Sequence, residues 1–210
     1  MDDAPRYRVP ASLCRIEQEV LRSRFVTSLA RATTADEARA FVAAVRAEMP
    51  DASHHCWAFV AGPPGSTASI GLSDDGEPHG TAGKPMLTAL LHSPLGEVVA
   101  VVTRYFGGTL LGKGGLVRAY TAGVVEALAA VETVERVRRA RLAVEIEYPR
   151  YETVRRLLPG FEATVQDEAF GATVGLRVEL PAARIEAFSQ ALLDATAGDA
   201  LCETVDLDPA

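Results

Sequence analysis

The run Val98–Phe106, VVAVVTRYF, constrains this chain more than any other segment. It is almost continuously apolar, rich in β-branched residues, and far shorter than the ~18 apolar residues a membrane span requires. Such a run reads as a central strand buried on both faces. The segment after it is equally specific. Gly107–Gly115 is glycine-rich, and then Leu116, Val117, Tyr120, Val124 and Leu128 recur at helical spacing toward a core. The order is strand, glycine-rich loop, helix.

The segments around that unit supply its partners. Leu13–Ala32 holds one or two strands. Thr34 precedes Glu37 by three residues, as in a capping box. Ala38, Phe41, Val42, Val45 and Met49 then continue a helix that Pro50 ends. His54–Ala61 reads as a strand, Gly62–Ser66 as a turn and Ala68–Ser73 as a second short strand. A polar stretch, Asp74–Gly83, leads into a helix carrying Met86, Leu87, Leu90 and Leu91.

Beyond the charged segment Glu132–Arg141, read as a linker, the pattern changes. Leu142–Tyr148 alternates apolar with acidic residues, and a helix begins after Pro149 and stops at Pro159-Gly160. Phe161–Asp167 and Ala172–Leu180 are strands, Pro181 opens a helix, and Leu201–Leu207 closes the chain as a strand. The order β-α-β-β-α-β is the ferredoxin-like arrangement. The fold class is therefore α+β in two domains, 1–136 and 137–210.

Composition narrows the function. The chain has 210 residues, 48% hydrophobic and 23% charged, within the globular range. The start, MDDAPRYRVP, has neither the basic opening nor the apolar stretch of a signal peptide. Cys14, Cys56 and Cys202 are few, odd in number and far apart, which points to a reducing cytoplasm. A net charge of −7 argues against indiscriminate nucleic-acid binding. Yet Val99–Tyr120 contains Arg104, Lys113 and Arg118 and no acid, a basic island suited to a specific site.

Two constellations could carry chemistry. Ser73–Pro85, SDDGEPHGTAGKP, gathers Asp74, Asp75, Glu77, Thr81 and Lys84 among glycines. Its carboxylates could bind metal or act as acid and base; they could equally bond nearby backbone amides in turns. Val101–Tyr120, VVTRYFGGTLLGKGGLVRAY, brings a glycine-rich loop to a helix start. Free amides and the helix dipole there favour an anion; the structural alternative is a tight turn and close packing. Gly107, Gly112 and Lys113 match the opening of a phosphate-binding P-loop, but Gly114 stands where Ser or Thr should hold magnesium. A dinucleotide fingerprint fails because its third glycine would fall at Val117. His54-His55-Cys56 offers zinc-type ligands, but strand neighbours point to opposite faces and cannot converge on one ion. There is no G-x-S-x-G nucleophile elbow. No cofactor and no metal is expected.

These residues resemble the IMPACT/YigZ family. SRF at Ser23–Phe25, HHCWAF at His54–Phe59, SDDGEPHGTAGKP and TRYFGGTLLGKGGLVRAY carry the resemblance, and the last two are long and specific. Asp74, Asp75, Glu77, Gly80, Thr81, Gly83 and Lys84 fall in the first long motif. Arg104, Tyr105, Gly107, Gly108, Gly112, Gly114, Gly115, Arg118 and Tyr120 fall in the second. Many members have Asn where this chain has His55. The resemblance implies that the first domain has the fold of the second domain of ribosomal protein S-five, with helices on one side of one sheet. It implies a ferredoxin-like second domain, and a pair of domains like the two C-terminal domains of elongation factor G. Eukaryotic relatives restrain the amino-acid-starvation kinase by competing for its co-activator. The extra N-terminal domain of those forms is missing here, which narrows the expectation to a surface that binds RNA, ribosome or a translation-related protein.

Three functions are therefore weighed. The first is a translation-associated binding protein, with Arg104, Lys113 and Arg118 on phosphate and Tyr105 or Tyr120 stacking on a base if exposed. The second is an enzyme acting on a small anionic substrate, phosphorylated compounds included. It gains if the two glycine-rich loops meet in a cleft and loses if Asp74 and Asp75 lie far from Lys113. The third is an interaction role for the open sheet face of the ferredoxin-like domain.

Overall fold

The computed structural model describes residues 6–207; the expectations for 1–5 and 208–210 lie outside the described residues. The chain divides into two compact units, one of Tyr7–Arg136 and one from Val137 onward together with Arg6.

The first unit begins with β1 (Arg6–Pro10), β2 (Cys14–Val20) and β3 (Ser23–Arg31). Then come α1 (Ala35–Glu48), β4 (His54–Val60), β5 (Ile70–Ser73) and α2 (Gly83–Leu91). It ends with β6 (Val98–Tyr105), α3 (Gly112–Ala130) and β7 (Thr133–Val137). Five strands form one sheet in the order β2-β3-β6-β4-β5, and β1 pairs with β7. All neighbours in the five-stranded sheet are antiparallel.

The VVAVV run lies at the sheet's centre, with both faces sealed. Val98, Ala100 and Val102 pack with Phe25, Leu29, Met86, Leu90, Tyr120 and Val124 beneath α2 and α3. Val99 and Val101 pack on the other side with Ala38, Val42 and Val45 of α1. Helices therefore cover both faces, in three layers, and the one-sided packing implied by the resemblance is corrected. The reason lies in β6 itself: its alternate residues are apolar in both directions, and either set left in water would forfeit about 1.5–3 kcal/mol per valine.

Two local readings also change. Thr34 caps α1, its hydroxyl accepting from the Glu37 amide at 3.1 Å. The Glu37 carboxylate, however, takes the amide and hydroxyl of Thr33, both at 2.7 Å, so the box closes one residue upstream. The segment read as a charged linker is mostly strand: β7 occupies Thr133–Val137 and β8 starts at Arg139.

The second unit contains β8 (Arg139–Ile146), α4 (Tyr151–Leu157), β9 (Thr164–Phe170), β10 (Val174–Pro181), α5 (Ile185–Thr196) and β11 (Leu201–Leu207). The sheet order is β11-β8-β10-β9, all antiparallel, which is the ferredoxin-like topology. Leu142, Val144, Ile146, Leu176 and Val178 meet Val154, Phe188 and Leu192 of the helices. Two strand starts fall two or three residues later than the sequence suggests. Pro159-Gly160 lies within a 3-10 turn, Leu158–Phe161, that postpones β9 to Thr164. Pro181 ends β10, and a further 3-10 turn separates it from α5.

Candidate functional site

The site grows from one row of residues across the first unit's sheet. Arg104 on β6 is paired in register with Phe25 on β3 and His54 on β4. Arg104 is 5% exposed. A buried guanidinium needs a partner, and Glu77 supplies it, with Nη1 donating to Oε1 at 2.6 Å. The Tyr120 hydroxyl donates to the same oxygen at 2.9 Å. The guanidinium also lies over the Phe25 and Phe106 rings, 5.4 and 5.5 Å from their centroids. Phe25 meets Tyr120 edge-on at 5.4 Å. Ser23 completes the cluster: its hydroxyl accepts from the Gly107 amide at 3.2 Å and from Arg104 Nη2 at 3.4 Å. The SRF, DDGEP and TRYFGG motifs thus converge in space.

The acids of the first loop have separate tasks. Asp74 Oδ1 accepts from the amides of Ala82 at 3.0 Å and Gly83 at 2.8 Å, and Oδ2 from Gly80 at 2.8 Å. It closes the loop and caps α2. Burial alone would raise its pKa; the amides of Gly80, Gly83 and Ala82 outweigh that and hold the carboxyl below its usual range. Asp75 accepts from the His55 amide at 2.7 Å and pairs with Arg46 at 2.6 Å. Thr81 donates to the Pro78 carbonyl at 2.6 Å and is buried. Asp74, Asp75 and Thr81 therefore bind the protein's own backbone; Asp75 also pairs with Arg46, and Asp74 lies 3.7 Å from His79.

The second loop opens outward. Gly107 is fixed by packing, since a Cβ there would stand 1.9 Å from the Arg22 carbonyl oxygen. Gly108 and Gly112 take φ of +80° and +69°, which favours glycine. The helix begins earlier than the loop reading allowed: Gly112, Gly114 and Gly115 lie inside α3, leaving 107–111 as the loop. The α3 start has no side-chain cap and no acid in its first turn. Its free amides and positive dipole end are therefore unclaimed by the side chains of the described residues.

Between the loops lies a cleft of about 420 Å³. Its charged and polar lining is His54, Glu77, Arg104 and Lys113; Pro78, Phe106, Leu110, Leu111 and Leu116 form apolar walls. Lys113 is exposed, and Leu110 is 84% exposed at the loop tip. His54 Nδ1 lies 2.8 Å from the Asp75 carbonyl oxygen, which can only accept, so this nitrogen donates. Nε2 is 4.0 Å from Glu77 Oε1.

Other residues singled out from the sequence fall elsewhere. Arg104 is occupied by Glu77 rather than offered to phosphate, and Tyr120 is fully buried, so it cannot stack on a base. Tyr105 points to the opposite face of β6, beneath the Arg24 guanidinium at 5.0 Å. Arg118 lines a hollow with Gln18 and Leu21, and its Nη1 lies beside Gly114 in the first turn of α3. Lys84 is exposed beside a groove of about 980 Å³ between α2 and α3. His55 faces Thr103, 3.1 Å from its hydroxyl, and burial lowers its pKa. The Cys56 thiol donates to the Asp74 carbonyl at 3.0 Å, and burial pushes its pKa up to about 12, far from a thiolate nucleophile. All three cysteines are free thiols. Among the described residues no group of three or more His, Cys, Asp or Glu could hold a metal ion, and no helix is long and apolar enough to cross a membrane. The cleft residues that sequence reasoning passed over are Pro78, Phe106, Leu110 and Leu111. The two leucines were the one signal for them: they stand in a glycine-rich loop with no periodic apolar partners.

The comparisons coincide with this geometry. Residues 21–128, which hold both loops and the cleft, match the Impact N-terminal domain. Residues 144–199 match a domain of unknown function, DUF1949. An IMPACT family member of Haemophilus influenzae is 43% identical over 96% of this chain and 98% of its own length. The IMPACT family member YigZ of Escherichia coli is 45% identical over 90% and 93%. A crystal structure described as that of a hypothetical protein superposes with a TM-score of 0.69 at 42% identity, covering 96% of this chain and 98% of its own. With both relatives matched over nine-tenths or more of this chain, and the Impact N-terminal domain spanning the motifs that build the cleft, the chain belongs to the IMPACT family.

Proposed function

We propose that this protein is a translation-associated binding and regulatory protein that meets RNA, ribosome or a translation-related protein through the glycine-rich loop at the α3 start. Family membership supports the translation-related role. The single observation that carries the site is the uncapped α3 start opening into the cleft, with Lys113 in its first turn. A backbone bare of side chains, a positive dipole end and one cation on a long side chain suit a phosphate or a carboxylate. Leu110, exposed beside them, adds an apolar anchor. A single exposed lysine at the cleft, on a chain of net charge −7, implies few phosphate contacts and a shallow salt dependence.

The test is co-sedimentation of the tagged protein with ribosomes from lysate at low and moderate salt. The protein should migrate with a ribosomal subunit, and Lys113→Ala should reduce that at both salts. Arg118→Ala, which removes a guanidinium beside Gly114 in the same first turn, should reduce it less. A protein that stays at the top of the gradient at both salts overturns the ribosome as partner.

An enzymatic reading keeps two observations in its favour: the two loops meet in one cleft, and His54 lines it beside Glu77. It loses Asp74 and Asp75, whose carboxylates are engaged with backbone amides and Arg46.

A further inference from the structure

Three features of the cleft point to a more specific ligand. The first is Glu77. Its side chain is 3% exposed, yet only Oε1 is engaged, by Arg104 and Tyr120. Oε2 accepts no hydrogen bond among the described residues. Nor is it one of the sealed, unpartnered side-chain atoms, which are Thr27 Oγ1 and Arg104 Nε. A buried carboxylate oxygen that is neither bonded nor sealed is presented to the cleft it lines. The second is the α3 start, nineteen residues of helix with bare first-turn amides and Lys113. The third is Phe106. One face of its ring rests on the Arg104 guanidinium, while the residue is 50% exposed.

We propose that the cleft binds a nucleoside 5′-monophosphate unit, either as a free nucleotide or as the 5′ end of an RNA strand. This rests on the cleft being the site through which the protein performs its proposed function. The phosphate takes the α3 amides and Lys113. The base lies on the open face of Phe106, flanked by Leu110. A ring N–H, an exocyclic amine or a ribose hydroxyl donates to Glu77 Oε2. Each part excludes an alternative. Inorganic phosphate would leave the walls of Pro78, Phe106, Leu110 and Leu116 without an occupant. A triphosphate brings more charge than Lys113 and a helix dipole of roughly half an elementary charge can match, because Arg104 is already neutralised by Glu77. An apolar ligand without a donor would leave Oε2 desolvated and unpaired. The volume, about 420 Å³, suits one nucleotide and not several.

The experiment is an amide-resolved NMR titration of the full chain with AMP, GMP, adenosine and inorganic phosphate. AMP or GMP should shift the Gly112, Gly114 and Gly115 amides saturably. Lys113→Ala should weaken nucleotide and inorganic phosphate alike, by about tenfold or more. Phe106→Ala should weaken the nucleotide about five- to a hundredfold, the span of base–aromatic stacking, and leave inorganic phosphate unchanged. Phe106→Leu, which keeps packing against Arg104, should show the same selectivity and guards against a folding effect. Glycine amides unmoved by millimolar nucleotide overturn the proposal. So does inorganic phosphate binding as tightly as AMP. A short RNA with a 5′-phosphate that binds more tightly than AMP identifies the strand end as the source; one that binds less tightly identifies the free nucleotide. Equal binding of 5′-phosphate and 5′-hydroxyl RNA overturns the terminal phosphate. Ribosome co-sedimentation that persists in Phe106→Ala and under saturating AMP would leave the translation reading standing while this one fails.

Discussion

The two glycine-rich loops lead into two helices, and the helices begin in opposite ways. At α2 the Asp74 carboxylate sits on the amides of Ala82 and Gly83, and Gly83 packs so closely on Ser73 that a Cβ would stand 2.9 Å from its carbonyl carbon. At α3 no side chain caps the first turn, and a Cβ on Gly112 would meet nothing within 4 Å. One helix start is closed by the protein's own anion; the other is capped by no side chain of the described residues. Both loops are glycine-rich, but the first carries the acids Asp74, Asp75 and Glu77 and the second carries none. The two helix starts differ in where those carboxylates point.

Glu77 joins the two loops, and its removal should have the largest effect. Glu77→Ala leaves the Arg104 guanidinium buried without its counter-charge, a change worth about 3–5 kcal/mol. Urea unfolding should show that loss, and Glu77→Gln should lose less because an amide oxygen can still accept from Arg104 and Tyr120. A loss below about 1 kcal/mol in Glu77→Ala, the scale of an exposed pair, would mean that the pair does not hold the loops together. The comparison would then rest on Asp74 alone.

Asp74→Ala opens the closed helix start. Three amides lose their acceptor, and the expected cost is about 2–3 kcal/mol. The pH dependence carries a sign. The folded pKa of Asp74 lies below its unfolded value, about 3.9, so its stabilisation is fully present above that value. It is lost as pH falls through the folded pKa. The variant should therefore unfold more easily at neutral pH and show a flatter acid limb. Parallel acid limbs in the two proteins would show that the carboxylate does not bear on the α2 amides.

Fold and site differ in how far they can be read from residues alone. The central strand is legible in VVAVV because its apolar residues leave no face for water. The ferredoxin-like order is legible in the clean alternation of β8 and β10 and in the prolines that bound the elements. The second helical layer is hidden because the direction in which a helix folds back is set by packing, not by the period of its own sequence. At the site, residue types are visible but their partners are not. Arg104 and Lys113 are both cations in one motif. Only register pairs Arg104 with His54 and Phe25 and brings Glu77 to it, leaving Lys113 as the charge that faces the cleft unpaired. Asp74 and Glu77 are likewise two acids three residues apart, one turned to backbone amides and the other to a buried cation.

The smallest expected effect probes the open helix start directly. Gly114 lies in the first turn of α3 with no positive φ, and a Cβ there would meet only Arg118 Nη1, at 3.6 Å, an ordinary contact. The fold therefore gives no reason for glycine at this position, while helix propensity favours alanine. Gly114→Ala should raise stability by about 0.5–1 kcal/mol, read as a higher urea midpoint at unchanged m-value. If it does, a residue that weakens the helix stands at a start that no side chain caps, which is the pattern expected where bare backbone serves a ligand rather than the fold. If the variant is instead destabilised, glycine is required there by the structure, and the contrast between α2 and α3 narrows to the presence or absence of a capping carboxylate.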